Sequence, residues 1–479
     1  MKTTSRILGF SEGFHDAAAA VVEDGVVVFA SHSERFSKIK NDKIICPELI
    51  NYIDDRWKPD TIAFYEKTWK KRLRQLRAGQ YKHAFRQRHY AWNYNQSFSH
   101  HLSHAAAAFQ CSPYKEAYAV VIDAIGEFDT LTQWHCTYDE NGNAFYDKMG
   151  SISYPMSLGL FYSAITDRVG LKPMEDEYIL MGMAAYGSHK RNLYDGMRKL
   201  FKHNLHRGCK EFAPNETDEN LAFNAQLLTE NIIKTLIKKL PANLPIVYGG
   251  GVAHNIKANA RVFGNRDHYI FPNPGDAGSS VGAAALAWRK KVEIPHMFLG
   301  HDVGKLTDEQ VKLTVDHILK EGIIGVCAEA AEFGPRALGN RSLLADPRDS
   351  SVKDKVNDIK KRQKFRPFAP SILAEHRKIY FEYSDKDYDY MQYTAKCLQQ
   401  IKIPSVVHAD GSSRVHTVNK NTADVSPLRN ILECWYEKTG CPVLLNTSLN
   451  IKGMPIVNNI EDAQDFERMY KTKVMTPNG

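Results

Sequence analysis

A strand–turn–hairpin pattern occurs twice in the first 150 residues and constrains the fold more than any other sequence feature. The first copy is the apolar run "ILGF" followed by "AAAAVVEDGVVVFA", in which Asp24-Gly25 separates two more apolar runs. The second copy is "AYAVVIDAIGE" followed by "TLTQWHCTYDENGNAFYD", with Asn141-Gly142 in the same role. Asp-Gly and Asn-Gly pairs favour two-residue hairpin turns. We therefore expect two similar sheets, each beginning with a strand and a hairpin.

This duplication resembles the two-lobed sheet of the actin, sugar kinase and heat-shock ATPase superfamily. The stretches "PIVYGGGVAHN" and "IFPNPGDAGSSVGAAALAW" each predict a strand, a glycine-rich turn and a helix. The pattern changes near "KVEIPHMFLGHDVGKLTDEQ", where a helix is expected after Thr307. The expected architecture is α/β: a duplicated actin-like domain at 1–300, then a smaller α/β domain at 301–479.

Composition excludes several classes of protein. The chain has 479 residues, of which 43% are hydrophobic and 25% charged, which is typical of a soluble globular enzyme. No apolar stretch reaches the roughly 20 residues that span a bilayer, and the first residues lack the apolar core of a signal peptide. Eight cysteines without a CxxC pair favour a reduced, cytoplasmic protein. The Walker A and GxGxxG nucleotide motifs are absent from the sequence.

The stretch "SHHLSHAAAAF" places three histidines on a predicted helix. His100 and His104 are four residues apart and therefore share one helix face, where an imidazole pair can chelate a divalent metal. Asp123 and Asp276 each follow a predicted strand at a glycine turn. Two imidazoles and two carboxylates suit Fe(II), Mn(II) or Zn(II). Ordinary helix capping and turn formation is the alternative interpretation.

His15, in "SEGFHDAAAA", follows the first predicted strand at a corner that would face the cleft of such a fold. A histidine there is a candidate general base, because its ordinary pKa lies near neutrality. A turn histidine bonded to Asp16 is the other interpretation.

A basic segment precedes the histidine helix. The chain has no Asp or Glu between Lys67 and Lys115, and aromatic residues alternate with cations from Trp69 to Tyr94. Such a mixture suits a phosphate backbone and unstacked bases, with the candidate contacts Arg72, Arg74, Arg86 and Arg88. The net charge of +8 is compatible with anionic partners. A solvated helical face explains the segment equally well.

The last third of the chain is dense in Arg, Lys, Gly, Ser, Thr and Asn. The relevant stretches are "EFGPRALGNRSLLADPR", "KKRQKFRPFAPSIL", "HADGSSRVHTV" and "PVLLNTSLNIKGMPIV". Guanidinium and ammonium groups with closely approaching backbone suit a polyphosphate ligand.

Taken together, these motifs and "GMAAYG" resemble the O-carbamoyltransferases of the nodulation and antibiotic-biosynthesis type. The resemblance covers nearly the whole chain in the same order. It implies a module similar to the threonylcarbamoyl-adenosine transferases fused to a carbamoyl-AMP-forming module. It also implies that carbamoyl phosphate and ATP with Mg²⁺ give carbamoyl adenylate, from which the carbamoyl group passes to an acceptor hydroxyl.

The resemblance assigns roles to particular residues. It implies Fe(II) as the ion held by His100, His104, Asp123 and Asp276, and His15 as the base that deprotonates the acceptor. The residues it implies for ATP and carbamoyl phosphate are Arg336, Arg341, Lys360, Arg366, Arg414, Asn446 and Ser448.

The sequence leaves two classes of carbamoyl acceptor open. The usual acceptors of the family are sugar-bearing small molecules, whereas the basic segment favours a 5-hydroxymethylpyrimidine of a nucleotide, DNA or RNA. Three other functions compete. They are an actin-like kinase or ATPase, in which "GPRALGNRS" and "FRPFAPS" have no role, a non-catalytic nucleic-acid-binding protein, and a tRNA threonylcarbamoyl transferase. The last would act at an adenine amine with a separate activating protein.

Overall fold

The computed structural model describes residues 4–85, 90–382, 384, 386 and 388–479. Contacts within the chain define two compact units. The N-terminal unit comprises Met1–Ser33 and Asp42–Pro295, and the C-terminal unit comprises Glu34–Asn41 and His296–Gly479. Among the described residues, no helix has both the length and the apolar character needed to cross a membrane.

The first sheet of the N-terminal unit has five strands. They are β1 (Arg6–Ser11), β2 (Ala18–Glu23), β3 (Val26–His32), β4 (Thr61–Phe64) and β5 (Gln96–Ser97), in the spatial order β3-β2-β1-β4-β5. The pairs β1–β2 and β2–β3 are antiparallel, and β1–β4 and β4–β5 are parallel. Asp24 and Gly25 connect β2 to β3 with φ angles of 47° and 89°. Two positive φ angles are what a type I′ turn requires, so the predicted hairpin is confirmed.

The second sheet repeats this arrangement. Its strands are β6 (Ala117–Gly126), β7 (Asp129–Tyr138), β8 (Ala144–Ser153), β9 (Ile246–Gly249) and β10 (His268–Ile270), in the order β10-β9-β6-β7-β8. The first three strands form an antiparallel meander, and β9 and β10 add in parallel on the other side of β6. Strand order and direction therefore match those of the first sheet. The predicted duplication of the strand–turn–hairpin pattern is confirmed.

Helices connect and cover these strands. The short helix α1 (Glu34–Ser37) belongs to the C-terminal unit. In chain order, the helices of the N-terminal unit are α2 (Pro47–Arg56), α3 (Thr68–Arg77), α4 (Tyr81–Ala84), α5 (His100–Gln110), α6 (Leu158–Arg168), α7 (Glu177–Met183), α8 (Arg191–Leu200), α9 (Asp218–Lys239), α10 (Ile256–Val262) and α11 (Ser279–Trp288). Helix α5 packs on β6 and β9 of the second sheet, and α11 packs on β1, β2 and β4 of the first. The two helices also pack against each other, so they form the layer between the two sheets.

Small residues let the backbones of α5, α11 and β1 approach one another closely in this layer. A Cβ atom on Gly282 of α11 would lie 1.8 Å from the carbonyl oxygen of Ser103 on α5. A Cβ atom on Gly9 of β1 would lie 1.9 Å from the carbonyl oxygen of Ser280 on α11. The alanines of α5, at 105–108, are all buried. The alanine-rich sequence thus allows the histidine-bearing helix to approach its neighbours closely.

The C-terminal unit is built on a six-stranded mixed sheet. The strands of the whole unit, including two small sheets of two strands each, are β11 (Phe298–Asp302), β12 (Ile323–Cys327), β13 (Ala330–Glu332), β14 (Arg341–Ala345), β15 (Ala369–Leu373), β16 (Thr394–Lys396), β17 (Ser412–Arg414), β18 (His416–Val418), β19 (Val443–Ser448) and β20 (Val474–Met475). The main sheet has the order β18-β15-β19-β14-β12-β20, while β11 pairs with β13 and β16 with β17.

Five helices belong to this part of the chain, namely α12 (Asp308–Glu321), α13 (Val352–Ile359), α14 (Arg377–Tyr380), α15 (Leu428–Thr439) and α16 (Ile460–Tyr470). Thr307 caps α12 in a capping box with Gln310, which confirms the predicted start of that helix. Helices α12 and α15 pack against each other, and Trp435 of α15 lies fully buried in the core beside Val315 and Leu444.

Replacing Gly282 with alanine should destabilise the N-terminal unit, because the new Cβ would meet a backbone oxygen of α5. Overpacking of this kind typically costs about 1–3 kcal/mol, so the urea midpoint of unfolding should fall. Gly196→Ala in α8 is the matched control, since its Cβ would lie 3.3 Å from the Phe212 ring, a side chain that can shift. There the higher helix propensity of alanine, about 1 kcal/mol, should offset the contact. Equal midpoints for the two variants would contradict this account of the packing.

Candidate active site

Four predicted metal ligands converge in the N-terminal unit. His100 and His104 lie one turn apart on α5, Asp123 lies on β6, and Asp276 lies in the turn that leads into α11. All four residues are buried, and one ligand atom from each lies within 4.8 Å of the other three. The helix, the strand and the turn that the sequence identified separately are thus brought to one point.

The spacing of these atoms suits a bound cation. The two Nε2 atoms are 3.1 Å apart. Asp123 Oδ2 lies 3.0 Å from His100 Nε2 and 3.3 Å from His104 Nε2, and Asp276 Oδ1 lies 3.4 and 3.3 Å from them. With metal–ligand bonds of about 2.1 Å, neighbouring ligand atoms are about 3.0 Å apart in an octahedral site and about 3.4 Å apart in a tetrahedral one. The donor set therefore fits a divalent transition metal, and Fe(II) stays a prediction.

Other contacts hold the ligands in place. His104 Nδ1 is 3.0 Å from the hydroxyl of Ser279 on α11, which leaves Nε2 free to face the cluster. The backbone N–H of His100 donates to the carboxylate of Glu127, at 3.3 Å, where α5 begins. An acidic group at this end of a helix also interacts favourably with the helix dipole.

The charges in the cluster shift each other's pKa values. Burial lowers the pKa of both histidines, but the two carboxylates outweigh it and raise the pKa of His100 well above its usual value and that of His104 less strongly. Burial alone would raise the pKa of Asp123 and Asp276, but the histidines lower both. Without a metal, the carboxylates thus favour the protonated form of the imidazoles.

His101, the third histidine of the stretch, points away from the ligand set. Its Nδ1 lies 3.0 Å from the hydroxyl of Thr132 on β7, and burial lowers its pKa. It packs beside His100, with ring centroids 5.8 Å apart. This arrangement gives His101 a structural place next to the cluster.

His15 lies in the loop after β1. Its Nδ1 is 3.0 Å from Asp16 Oδ2, and its ring packs against Phe14. Burial lowers the pKa of His15, but the hydrogen bond to Asp16 and the charges of Asp276, Asp16 and Asp123 raise it to about 9. The His15 side chain is about a quarter exposed. A cation in the cluster would offset the charges of Asp123 and Asp276 and bring the pKa of His15 back towards neutrality.

The basic segment divides into buried and exposed parts. Lys71 is buried, pairs with Glu66 at 2.8 Å, and lies 6.0 Å from the ring centroid of Phe14, so α3 runs beside the loop of His15. Arg72 is exposed and Arg74 is partly buried. Arg86 and Arg88 lie outside the described residues.

The aromatic residues of this segment divide in the same way. Trp69, Tyr81 and Phe85 are 61%, 62% and 77% exposed. Trp92, another aromatic residue of this segment, is buried and not available to stack on a base. Its ring is buried against Phe10, with centroids 5.4 Å apart, and its indole N–H donates to Asp54.

The guanidinium of Arg341 in the C-terminal unit is bound by backbone carbonyl groups. Arg341 is fully buried, and its guanidinium makes six hydrogen bonds to backbone carbonyls of His301, Ala328, Glu329, Asn340 and Asn458. A guanidinium has five N–H groups, and all of them are engaged here. In this arrangement Arg341 ties four segments of backbone together and offers no donor to a phosphate, which differs from the predicted role.

Lys360 and Ser448 are in direct contact. The Lys360 ammonium donates to the backbone oxygen of Ser448 and to Asn450, whose Oδ1 is 2.9 Å away. Burial, with the nearby charges of Arg362 and Arg366, holds the pKa of Lys360 well below its usual range. The loop after β19 is thus fixed to the end of α13, and Arg366 lies close to it.

Comparison with known protein families identifies the family to which the chain belongs. The family sequence model described as "Carbamoyltransferase N-terminus" matches residues 57–235 and 200–285. The family sequence model described as "Carbamoyltransferase C-terminus" matches residues 315–476. The chain belongs to the carbamoyltransferase family. The family inferred from the sequence motifs is confirmed, and with it the assignment of the chain as an enzyme of carbamoyl transfer.

Several relatives align with this carbamoyltransferase over much of its length. An uncharacterized protein of Synechocystis is 31% identical, over 96% of this chain and 93% of the relative. The nodulation protein NolNO of Sinorhizobium fredii is 27% identical, over 94% and 76%. A 3'-hydroxymethylcephem-O-carbamoyltransferase of Streptomyces clavuligerus is 28% identical, over 64% and 65%.

The carbamoyltransferase has polar contacts that sequence reasoning missed. Ser371 on β15 lies between His416 on β18, whose Nδ1 is 2.8 Å away, and Asn446 on β19, whose Nδ2 is 3.0 Å away. Both Ser371 and His416 occur within stretches that suggested phosphate binding, but only the strand order brings them to Asn446. Arg414 is partly buried and acts electrostatically on His416, while Arg336 is partly buried beside Ala337, whose carbonyl oxygen accepts from Asn446.

His100→Ala or His104→Ala should each reduce the metal content of the purified carbamoyltransferase from about one ion per chain to a small fraction, because three ligands bind far more weakly than four. Elemental analysis by mass spectrometry measures the content. His135→Ala is the matched control, because His135 lies on β7 and pairs with Glu116 at the surface. Full metal content in both cluster variants would show that the ion binds elsewhere.

Metal binding should release protons and strengthen with rising pH. The raised pKa values of His100 and His104 mean that both rings carry protons below their folded pKa, and a metal binds only the neutral imidazoles. Calorimetric titration with Zn(II) in two buffers of different ionisation enthalpy should show the release of up to about two protons per ion. A binding constant that does not change between pH 6 and 8 would contradict the protonated state described above.

Proposed function

We propose that the chain is an ATP-dependent O-carbamoyltransferase that takes its carbamoyl group from carbamoyl phosphate, by way of carbamoyl adenylate, to an acceptor hydroxyl. The observation that supports this most is the buried cluster of His100, His104, Asp123 and Asp276 with His15 as a nearby base. We assign the transfer step to residues 1–300 and the formation of the adenylate to residues 301–479.

The activation step requires a concentration of positive charge. Carbamoyl phosphate and water give carbamate and phosphate. The carbamate oxygen then attacks the α-phosphorus of ATP, and pyrophosphate leaves. Charge on the phosphates increases in both halves of this step, so guanidinium groups can stabilise it. The residues proposed for this work are Arg336, Lys360, Arg366, Arg414, Asn446 and Ser448. Arg341 holds the surrounding backbone.

The transfer step uses His15. Its Nδ1 is hydrogen-bonded to Asp16, so a neutral ring presents Nε2 as the base that takes the proton of the acceptor hydroxyl. The hydroxyl oxygen attacks the carbamoyl carbon, and AMP leaves. His100, His104, Asp123 and Asp276 would hold a divalent metal such as Fe(II), which would supply Lewis acidity next to His15.

The proposed acceptor is a hydroxymethyl group, with a 5-hydroxymethylpyrimidine of a nucleotide, DNA or RNA as the first candidate. The exposed cations and aromatic rings of α3 and α4 support this choice, since α3 runs beside the loop of His15. A small-molecule hydroxyl is the second candidate. The relative whose name specifies a hydroxymethylcephem acceptor favours it.

The two steps should separate by mutation. Arg366→Ala should slow ATP- and carbamoyl-phosphate-dependent pyrophosphate release by about 10²–10³-fold, because a charge that stabilises the transition state is lost. His15→Ala should leave pyrophosphate release largely intact and lower carbamoyl transfer by about 10²–10⁴-fold. Pyrophosphate and carbamoylated product are measured in the same reaction.

Arg198→Ala on the exposed surface of α8 is the control for this pair of variants and should leave both rates unchanged. Loss of pyrophosphate release in His15→Ala would overturn the proposed division of labour. An ATPase that is indifferent to carbamoyl phosphate would instead support an actin-like kinase or ATPase.

The salt dependence of acceptor binding should distinguish the two classes of acceptor. Binding to nucleic acid should weaken with salt by a log–log slope of about 0.7–0.9 per phosphate contact. Changing Arg72, Arg74, Arg86 and Arg88 to Gln should flatten that slope, raise the KM for the acceptor, and leave pyrophosphate release unchanged. The test uses hydroxymethylated DNA, RNA and nucleotide, with carbamoyl gain followed by mass spectrometry.

A control with the same loss of charge is Lys199, Lys202, Lys238 and Lys239 changed to Gln, all of them exposed on or just after α8 and α9. This variant should retain the wild-type slope. Carbamoylation of a sugar hydroxyl with no salt dependence, together with no product on any hydroxymethylpyrimidine, would establish the small-molecule acceptor.

A further inference from the structure

The loop that carries His15 is hydrogen-bonded on both sides to one other segment of the chain. The backbone N–H of Gly13 donates to the carbonyl oxygen of Lys43, at 2.7 Å. The backbone N–H of Ala17 donates to the carbonyl oxygen of Asp42, at 2.8 Å. Since these two bonds lie on either side of His15, residues 42–43 help to set the place of the proposed base.

The conformation of this loop depends on such contacts. Asp16, next to His15, has a φ angle of 50°, which a residue other than glycine keeps only where its surroundings impose it. The N–H of Ser33 supplies a further contact, because it donates to the carbonyl oxygen of Ala17 at 2.7 Å. The placement of His15 is therefore sensitive to the positions of Ser33 and Asp42.

The chain leaves the N-terminal unit between Ser33 and Asp42. Residues 34–41, here called the crossing segment, belong to the C-terminal unit, whereas both flanking residues belong to the N-terminal unit. The crossing segment is closed on itself, because the buried carboxylate of Glu34 accepts from the ammonium of Lys40 at 2.9 and 2.8 Å. Its two ends are thus tied to each other, and a displacement of its middle reaches both.

Two cations anchor the crossing segment within the C-terminal unit. Arg35 is 2% exposed and donates from Nη1 to the carbonyl oxygen of Val457, at 3.4 Å. Lys38 donates to the carboxylate of Asp462, which also accepts from the N–H of Asn458 at 2.8 Å. Both cations therefore contact the start of α16 and the residues just before it.

The hydrogen bonding of Arg35 is incomplete. Its Nε is buried and has no hydrogen-bond partner among the described residues, and the same holds for Oε2 of Glu332. Burial lowers the pKa of Arg35, and the charges of Glu332 and Glu34 oppose that shift. A buried guanidinium with an unpaired donor is bound less firmly than one that is fully paired. Arg35 is thus an anchor whose position depends on its surroundings.

The residues just before α16 are continuous with the loop that follows β19. At one end of this loop Lys360 donates to the backbone oxygen of Ser448 and to Asn450. At its other end the N–H of Val457 donates to the carbonyl oxygen of Leu449, at 3.1 Å. Lys360 and Ser448 are two of the residues proposed for ATP and carbamoyl phosphate. A ligand that orders this loop consequently orders the anchors of the crossing segment.

We propose that the crossing segment links ligand binding in the C-terminal unit to the placement of His15, with Arg35 and Lys38 as positioning residues. A bound nucleotide orders the loop after β19, this loop holds the two cations, and the crossing segment fixes the backbone on both sides of His15. The base is best placed when ATP is bound, which ties the transfer step to the activation step. The inference rests on the proposed function for the roles of His15 and of the ATP site.

Hydrogen–deuterium exchange of the full-length protein, measured on peptides by mass spectrometry, tests the link. Without ligand, Lys38→Ala should speed exchange in residues 12–18 by about two- to fivefold, as expected when one partly exposed ion pair is lost. Arg35→Met removes a buried charge and should speed it by about tenfold or more. Lys38→Arg keeps a cation opposite Asp462 and should restore the wild-type rate.

The matched control is Lys320→Ala. Lys320 lies on α12 of the same unit, and its side chain is 81% exposed beside Glu321. This variant should leave exchange in residues 12–18 unchanged. Peptides from β6 and β12 report on the stability of the two units, so a variant that is merely destabilised would also exchange faster there.

The second part of the experiment adds α,β-methylene-ATP with Mg²⁺, which cannot release pyrophosphate, and measures its binding by calorimetry. At saturation the analogue should slow exchange in residues 12–18 by about threefold in the wild type and in Lys320→Ala. It should have no such effect in Lys38→Ala or Arg35→Met, even when these variants are saturated with it.

Three outcomes would overturn the inference. They are unchanged ligand-free exchange in residues 12–18 in both Lys38→Ala and Arg35→Met, no slowing in wild-type protein saturated with the analogue, and slowing that persists in both variants. Failure of the wild type to bind the analogue would reject the proposed ATP site instead. The ligand-free comparison would then still decide whether the crossing segment holds the loop of His15.

Discussion

The close approach of the α5 and α11 backbones is the constraint on which the N-terminal site depends. At Gly282 there is no room for a Cβ next to the Ser103 carbonyl, and at Gly9 the strand lies equally close to α11. At this separation the hydroxyl of Ser279 reaches His104 Nδ1, and Asp276 at the start of α11 reaches the imidazoles of α5. A wider layer would move a carboxylate away from the histidines, so the glycines and alanines are as necessary to the cluster as its ligands.

The cluster and His15 form one electrostatic unit. Two buried carboxylates require compensating positive charge, so they favour protons on the histidines, and a divalent cation would supply that charge instead. Together with the hydrogen bond to Asp16, the same carboxylates raise the pKa of His15 to about 9, so the ring is mostly protonated at neutral pH. A cation there would leave the imidazoles without protons and free to act as ligands. It would also lower the pKa of His15, so that more of the ring is neutral and able to take a proton.

The features that the sequence predicted well are those set by local chemistry. The Asp24-Gly25 turn, the Thr307 cap and the pairing of His100 with His104 each depend on residues a few positions apart. Contacts that depend on strand order could not be predicted. Ser371 meets His416 and Asn446 only because β15 lies between β18 and β19 in the sheet. The burial of single aromatic residues could not be predicted either, since nothing in the sequence around Trp92 or Phe85 indicates that the first is in the core and the second exposed.

Arg341 and Asn446 show why residue type alone does not identify a phosphate or substrate ligand. Both come from motifs dense in polar groups, and both are fully buried. Every N–H of Arg341 is used by backbone carbonyls, whereas Asn446 keeps one oxygen without a partner. The donors and acceptors that remain unpaired, more than the charges, therefore indicate which buried polar residue can still bind a ligand. A fully engaged guanidinium has no N–H left to offer a ligand, whereas a buried acceptor without a partner is costly and calls for a donor, which phosphate does not carry.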